Sequence, residues 1–186
     1  MPDSIQFFPE CHVDTALMRT LLRDRQQLIV HIKGAPKVGD ALHEQARRYG
    51  ESRVVVGMVD NDKQLFSITR LKPFTRIVAQ CEDVSSPFVV YQHEELATQY
   101  LVVIGPKACD GWIYGAAKAA GLDPATYGLP VTLPEFLAFT KKTQAEERPE
   151  IVGLLKALRR ATPPAYEQLA TFMAARLQEA GQESGW

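Results

Sequence analysis

An α/β fold, with a mostly parallel, Rossmann-like sheet and helices on both faces, is what this 186-residue sequence predicts, on three observations. Short apolar runs alternate with stretches of helical spacing over roughly the first 120 residues. The run Arg53 to Val59 is almost continuously β-branched and stops at Asp60-Asn61-Asp62-Lys63, as a central parallel strand does at its carboxyl end. From Pro134 onward the pattern is helical, so a helical extension follows the sheet-bearing part.

Taken in order, Ile5 to Phe8 reads as a short strand, and Val13 to Arg25 as a helix with Leu17, Leu21 and Leu22 at helical spacing. Leu28 to Ile32 reads as a second strand, closed by Gly34-Ala35-Pro36, with a helix from Val38 to Tyr49 that ends at Gly50. Arg53 to Val59 is then the third strand. Further strands are expected at Arg76 to Ala79, Phe88 to Tyr91 and Tyr100 to Ile104, the last leading into a helix of small residues, Ala108 to Ala120. Glu135 to Lys142, Ile151 to Arg160 and Tyr166 to Ala180 are the C-terminal helices, and Trp186 closes a tail expected to fray. The division that follows is an α/β core over residues 1–130 and helices packed on it over 131–186.

Composition narrows the class. An apolar content of 46% is enough for one sizeable core. No window offers the roughly 20 apolar residues of a membrane span, and Met1-Pro2-Asp3-Ser4 lacks a secretory start, so a soluble, cytoplasmic protein without a membrane partner is expected. Cys11, Cys81 and Cys109 are too few and too far apart for a disulfide framework or a zinc motif, and read as reduced thiols. Net charge is −1, with a mild excess of cations before residue 77 that could face phosphates.

Ligands of open parallel sheets gather beyond the carboxyl ends of strands. Glu10 follows the first strand, and Asp60 and Asp62 follow the third, where alternate positions of an extended chain point the same way. Three such oxygen donors suit a hard cation, Mg²⁺ or Mn²⁺, and that pairing serves phosphoryl transfer. Asp110, in Lys107-Ala108-Cys109-Asp110-Gly111-Trp112, is a further candidate ligand, with the helix dipole an equal reason for an acid in a first turn. Lys63 is the better candidate to neutralise a phosphate, and Lys33 the second. His12, His31, His43 and His93 have no zinc spacing, and an acidic neighbourhood disfavours a Cys11 thiolate. No P-loop, dinucleotide-binding glycine motif or nucleophile elbow occurs.

Glu10 in Phe7-Phe8-Pro9-Glu10-Cys11-His12-Val13-Asp14, followed by Asp60-Asn61-Asp62 after Val54 to Val59, resembles the Toprim (topoisomerase-primase) family. Its pattern is a glutamate ending the first strand and Asp-x-Asp after a later one. The resemblance covers about residues 5–120. Cys11 stands where the family commonly has glycine, and Lys107 to Ile113 looks like an acidic-x-Trp-apolar element of some stand-alone Toprim-like proteins. The resemblance implies metal-binding roles for Asp60 and Asp62 and a general acid/base or ligand role for Glu10. It also implies a Mg²⁺- or Mn²⁺-dependent phosphodiester hydrolase or phosphoryl-transfer enzyme acting on nucleic acid. The alternative is a catalytically degenerate Toprim-like module that binds a partner, such as a separately encoded ATPase.

Overall fold

The computed structural model describes residues 4–62, 64–142 and 144–181. Among these residues, five strands form one sheet: β1 (Ile5–Pro9), β2 (Val54–Asp60), β3 (Phe74–Cys81), β4 (Phe88–His93) and β5 (Gln99–Ile104), in the order β1-β2-β5-β4-β3. β1, β2 and β5 are parallel to one another, while β4 runs antiparallel to both β5 and β3. The sheet is therefore mixed, and parallel where β2 sits in it. Residues 94–98 between β4 and β5 are too few for a crossover helix, which takes a dozen residues or more, so that pair closes as a hairpin.

Leu28 to Ile32 is not a full strand. A 3₁₀ helix runs from Arg23 to Leu28, and the chain then touches β1 through one parallel bridge, Phe7 to Ile29. Val30 N–H donates to the Phe7 carbonyl and Ile32 N–H to the Pro9 carbonyl. The segment lies along the outer edge of β1 and turns away at Gly34, whose φ of 95° favours glycine.

Among the described residues, six α-helices flank the sheet: α1 (His12–Leu22), α2 (Ala35–Tyr49), α3 (Cys109–Ala119), α4 (Leu133–Thr140), α5 (Pro149–Ala161) and α6 (Pro164–Glu179). Side chains alternate across a strand, and the apolar core divides accordingly. Phe8, Val55, Val59 and Leu101 bury against Val38 and Leu42 of α2, with the 3₁₀ turns around Leu65 and Leu71 beside them. Phe7, Val56, Met58 and Val102 face the other way, into a larger cluster with Leu17 of α1, Trp112 of α3, Leu154 of α5 and Leu169 of α6. The C-terminal helices thus enter the same cluster as α1. A Cβ at Gly57 would stand 2.9 Å from Val38 Cγ1 and 3.0 Å from Leu42 Cδ1, so glycine on β2 lets α2 lie this close. All three thiols are unpaired, Cys81 and Cys109 buried and Cys11 partly so. No helix among the described residues is long and apolar enough to cross a membrane.

Candidate functional site at the strand ends

Glu10 leaves β1 on the side that Phe8 faces, toward α2. Its Oε1 accepts a 2.9 Å hydrogen bond from the N–H of Ala35, the first residue of α2, and its Oε2 accepts one of 3.0 Å from the N–H of Asp60. Gly34 has no side chain with which to cap α2, so the carboxylate takes over one of the helix's orphan donors at its positive end. Asp60 turns to the opposite face, where its Oδ1 accepts 2.8 Å from the N–H of Cys109, first residue of α3. Two acids at adjacent strand ends thereby cap two helices on opposite faces of the sheet. Asp62 closes a local turn, its Oδ1 accepting 2.9 Å from the Gln64 N–H.

These carboxylates share a cleft of about 630 Å³, lined by Glu10, Gly34, Asp60, Asp62, Leu65 and Lys107 among others. Burial, opposed by the Cys109 N–H and reinforced by the fields of Glu10, Asp110 and Asp62, pushes the Asp60 carboxyl up to about 7. No ion pair among the described residues involves Glu10, Asp60 or Asp62. The negative charge of the cleft is uncompensated by those contacts.

Asp14 lies behind this edge and is fully buried. Its Oδ2 accepts 3.1 Å from the Cys11 N–H, and its own N–H reaches the Cys11 sulfur at 3.5 Å, a reciprocal cap on α1. Burial and then the Asp60 charge hold Asp14 well above the usual carboxylate range. Burial likewise pushes the Cys11 and Cys109 thiols up, with Asp14 adding to it, which removes both as thiolate nucleophiles at neutral pH.

Asp110 is placed differently. It is 7% exposed, its Oδ1 accepts 2.8 Å from the Gly111 N–H, and its Oδ2 accepts 2.9 Å from the Thr140 hydroxyl. It lines a second pocket of about 240 Å³ with Cys11, His12 and Asp60, so Asp60 borders both spaces. Lys33 is exposed and does not line the cleft, whereas Lys107 does. Lys63 lies outside the described residues. His12 Nδ1 is 2.8 Å from Glu146 Oε1, and its ring stacks on His31 at 4.5 Å between centroids. Sequence reasoning left Lys107, Thr140 and Glu146 unassigned. Lys107 had a signal, since it lies beyond the carboxyl end of β5 as Asp62 lies beyond that of β2.

The donor set fits a hard cation in a limited sense. Among the described residues, no three His, Cys, Asp or Glu side chains form a ready-made cage. Mg²⁺ needs no such cage, because one or two carboxylates and retained waters suffice. Asp60 Oδ2 and Asp62 Oδ2 accept no hydrogen bond among the described residues, and both residues line the cleft. Compared with protein-family models, curated proteins and solved structures, the chain matches none.

Proposed function

We propose that the chain is a Mg²⁺- or Mn²⁺-dependent phosphodiester hydrolase, or a related phosphoryl-transfer enzyme, of Toprim type acting on nucleic acid. The observation that carries this reading is the convergence of Glu10, Asp60 and Asp62 on one open cleft without a compensating cation among the described ion pairs. Acids gathered at a cost, as the raised Asp60 pKa registers, are stabilised when a divalent cation joins them. The adjacency of β1 and β2, which brings the glutamate beside the Asp-x-Asp, supports the Toprim-type reading.

A bound Mg²⁺ or Mn²⁺ would polarise the phosphodiester and make water a better nucleophile at neutral pH. Asp60 and Asp62 would hold the cation. Glu10 would take a proton from the attacking water, at the cost of one of its two amide bonds. Lys107 faces the phosphate with an ammonium group, the task the sequence assigns to Lys63. The test is calorimetric titration with Mn²⁺, together with cleavage of labelled DNA and RNA by the wild type, D60A and D62A. The reading fails if Mn²⁺ does not bind, or if cleavage survives both substitutions.

A second reading, the degenerate module that docks a protein such as an ATPase, is favoured by two features. Both oxygens of Glu10 are already engaged by amides, and the edge strand β3 leaves Ile77 56% and Val78 42% exposed. Binding of such a partner without any Mn²⁺ affinity would select it.

A further inference from the structure

A divalent cation calls for oxygen ligands, yet the acidic cleft also has apolar walls. Pro36, in the first turn of α2, and Leu65 and Ile68, in and just after the 3₁₀ turn Leu65–Ser67, line it together with the carboxylates. Pro36 is exposed, Ile68 half-buried and Leu65 buried beneath them. The turn is tied to the acids: Asp62 accepts the Gln64 N–H on its Oδ1 and the Leu65 N–H on its carbonyl, the latter at 3.1 Å. One short segment beyond β2 therefore presents two aspartates and then an apolar step.

Two amide side chains line the same cleft with hydrogen-bonding capacity to spare. The Gln64 side chain makes no hydrogen bond among the described residues, and Asn61 commits only its Nδ2, which donates to the Pro106 carbonyl at 3.4 Å. An amide offers a donor and an acceptor side by side, the pattern that matches the edge of a nucleobase. Aliphatic surface next to such amides suits the face of the same ring, which gains by leaving water.

Size and charge limit how much of a nucleic acid the cleft takes. Its volume of about 630 Å³ lies within the roughly 300–1,000 Å³ of clefts that enclose one small molecule. Among the described residues that line it, Lys107 is the one cation against three carboxylates, so these walls do not track a run of phosphates. A base inside a duplex has its faces stacked and its pairing edge in use, and reaches an enclosed site only when it leaves the stack.

We propose that the cleft takes one unpaired nucleotide of a single-stranded nucleic acid, its base against Pro36, Leu65 and Ile68 and its edge on the amides of Asn61 and Gln64, beside the phosphate that the acids and Lys107 serve. The inference rests on the proposed hydrolase for the phosphate; the base site stands on the apolar walls and the unused amides.

The experiment has two arms. In the first, adenosine, guanosine, cytidine and uridine, which carry a base and no phosphate, are titrated into the full chain in EDTA and followed by NMR. At least one is expected to bind at millimolar concentration, and I68E to weaken that binding by about tenfold, as a charge in an apolar pocket does. V131E, at an exposed position just before α4, serves as the control and keeps the wild-type affinity; circular dichroism confirms that both variants are folded. In the second arm, the wild type with Mn²⁺ cleaves a labelled 20-mer, single-stranded or annealed to its complement. A kcat/KM at least about tenfold higher for the single strand is expected, since the duplex must first give up a base. I68E is expected to raise KM for the single strand with kcat within about twofold, the mark of lost binding that the ground and transition states share. No nucleoside binding by the wild type, an equal loss in V131E, or equal cleavage of duplex and single strand overturns the proposal, and the last needs no variant. Cleavage without nucleoside binding leaves the hydrolase reading in place. Nucleoside binding that I68E weakens, without Mn²⁺-dependent cleavage, defeats the hydrolase reading and leaves the base site standing.

Discussion

Asp60 ends the parallel strand β2 and Asp110 opens α3 after the parallel strand β5, Asp60 bonds to the start of that helix, and both line the smaller pocket, yet they differ in what remains of each carboxylate. Asp110 has one oxygen on the Gly111 amide and the other on the Thr140 hydroxyl, beneath α4. Asp60 has one oxygen on the Cys109 amide and the other without a hydrogen bond among the described residues, and it lines both the smaller pocket and the cleft that Glu10 and Asp62 also line. A buried carboxylate with both oxygens bonded adds to folding stability. One that is half satisfied, among like charges, stores a cost that a cation can relieve. Position after a strand nominates both residues, and the spare oxygen separates them.

The largest effect expected from this difference is on catalysis. D60A is expected to lower Mn²⁺-dependent cleavage by about 10²–10³-fold, the range seen when a group stabilising transition-state charge is removed. D110N, which preserves an acceptor for the Gly111 amide, is expected to stay within about threefold of wild type. Equal losses in the two variants, in single-turnover assays, would erase the distinction.

Mn²⁺ affinity comes next. A proton on Asp60 competes with the cation, so affinity measured calorimetrically should fall by up to about tenfold per pH unit below about 7 and flatten above it. A profile that stays flat down to pH 5.5 would remove Asp60 from the ligand set.

Stability gives two smaller effects of opposite sign. D110A loses the Gly111 cap and one acceptor of Thr140, at an expected cost of about 1–2 kcal/mol in urea denaturation, with Mn²⁺ affinity unchanged. D60N is expected to stabilise the metal-free protein at pH 8 by about 1 kcal/mol. The folded Asp60 pKa, about 7, exceeds the unfolded value near 3.8, so the native state binds the extra proton between those values and wild-type stability falls as pH rises through that window. The gain from D60N should therefore vanish near pH 4. A D60N protein less stable than wild type at pH 8 would mean that the charge is not costly there.

The elements that periodicity reveals were legible, and pairing was less so. The valines of β2 and the leucines of α1 announce themselves because burial on two faces, or on one stripe, repeats at a fixed spacing. Leu28 to Ile32 misleads because its composition suits a strand while its place at the outer edge of β1 gives it one bridge. The antiparallel setting of β4 was readable from the short, helix-free link of residues 94–98, a signal of length rather than of residue type. At the site, Glu10, Asp60 and Asp62 could be picked out because strand ends gather polar groups. Their partners could not, since the amides of Ala35 and Cys109 carry no side-chain signature, and Thr140 and Glu146 come from segments far along the chain.

The double hydrogen bond of Glu10 makes it a fastening between two elements. One carboxylate clasps the first turn of α2 and the last residue of β2 together, so neither can shift alone without loosening the other. Whatever draws the Glu10 side chain out of that clasp bares two amide donors at the mouth of the cleft, one of them at a helix's positive end. An acid that fills the space in the resting protein would then yield its seat to an oxygen of like charge.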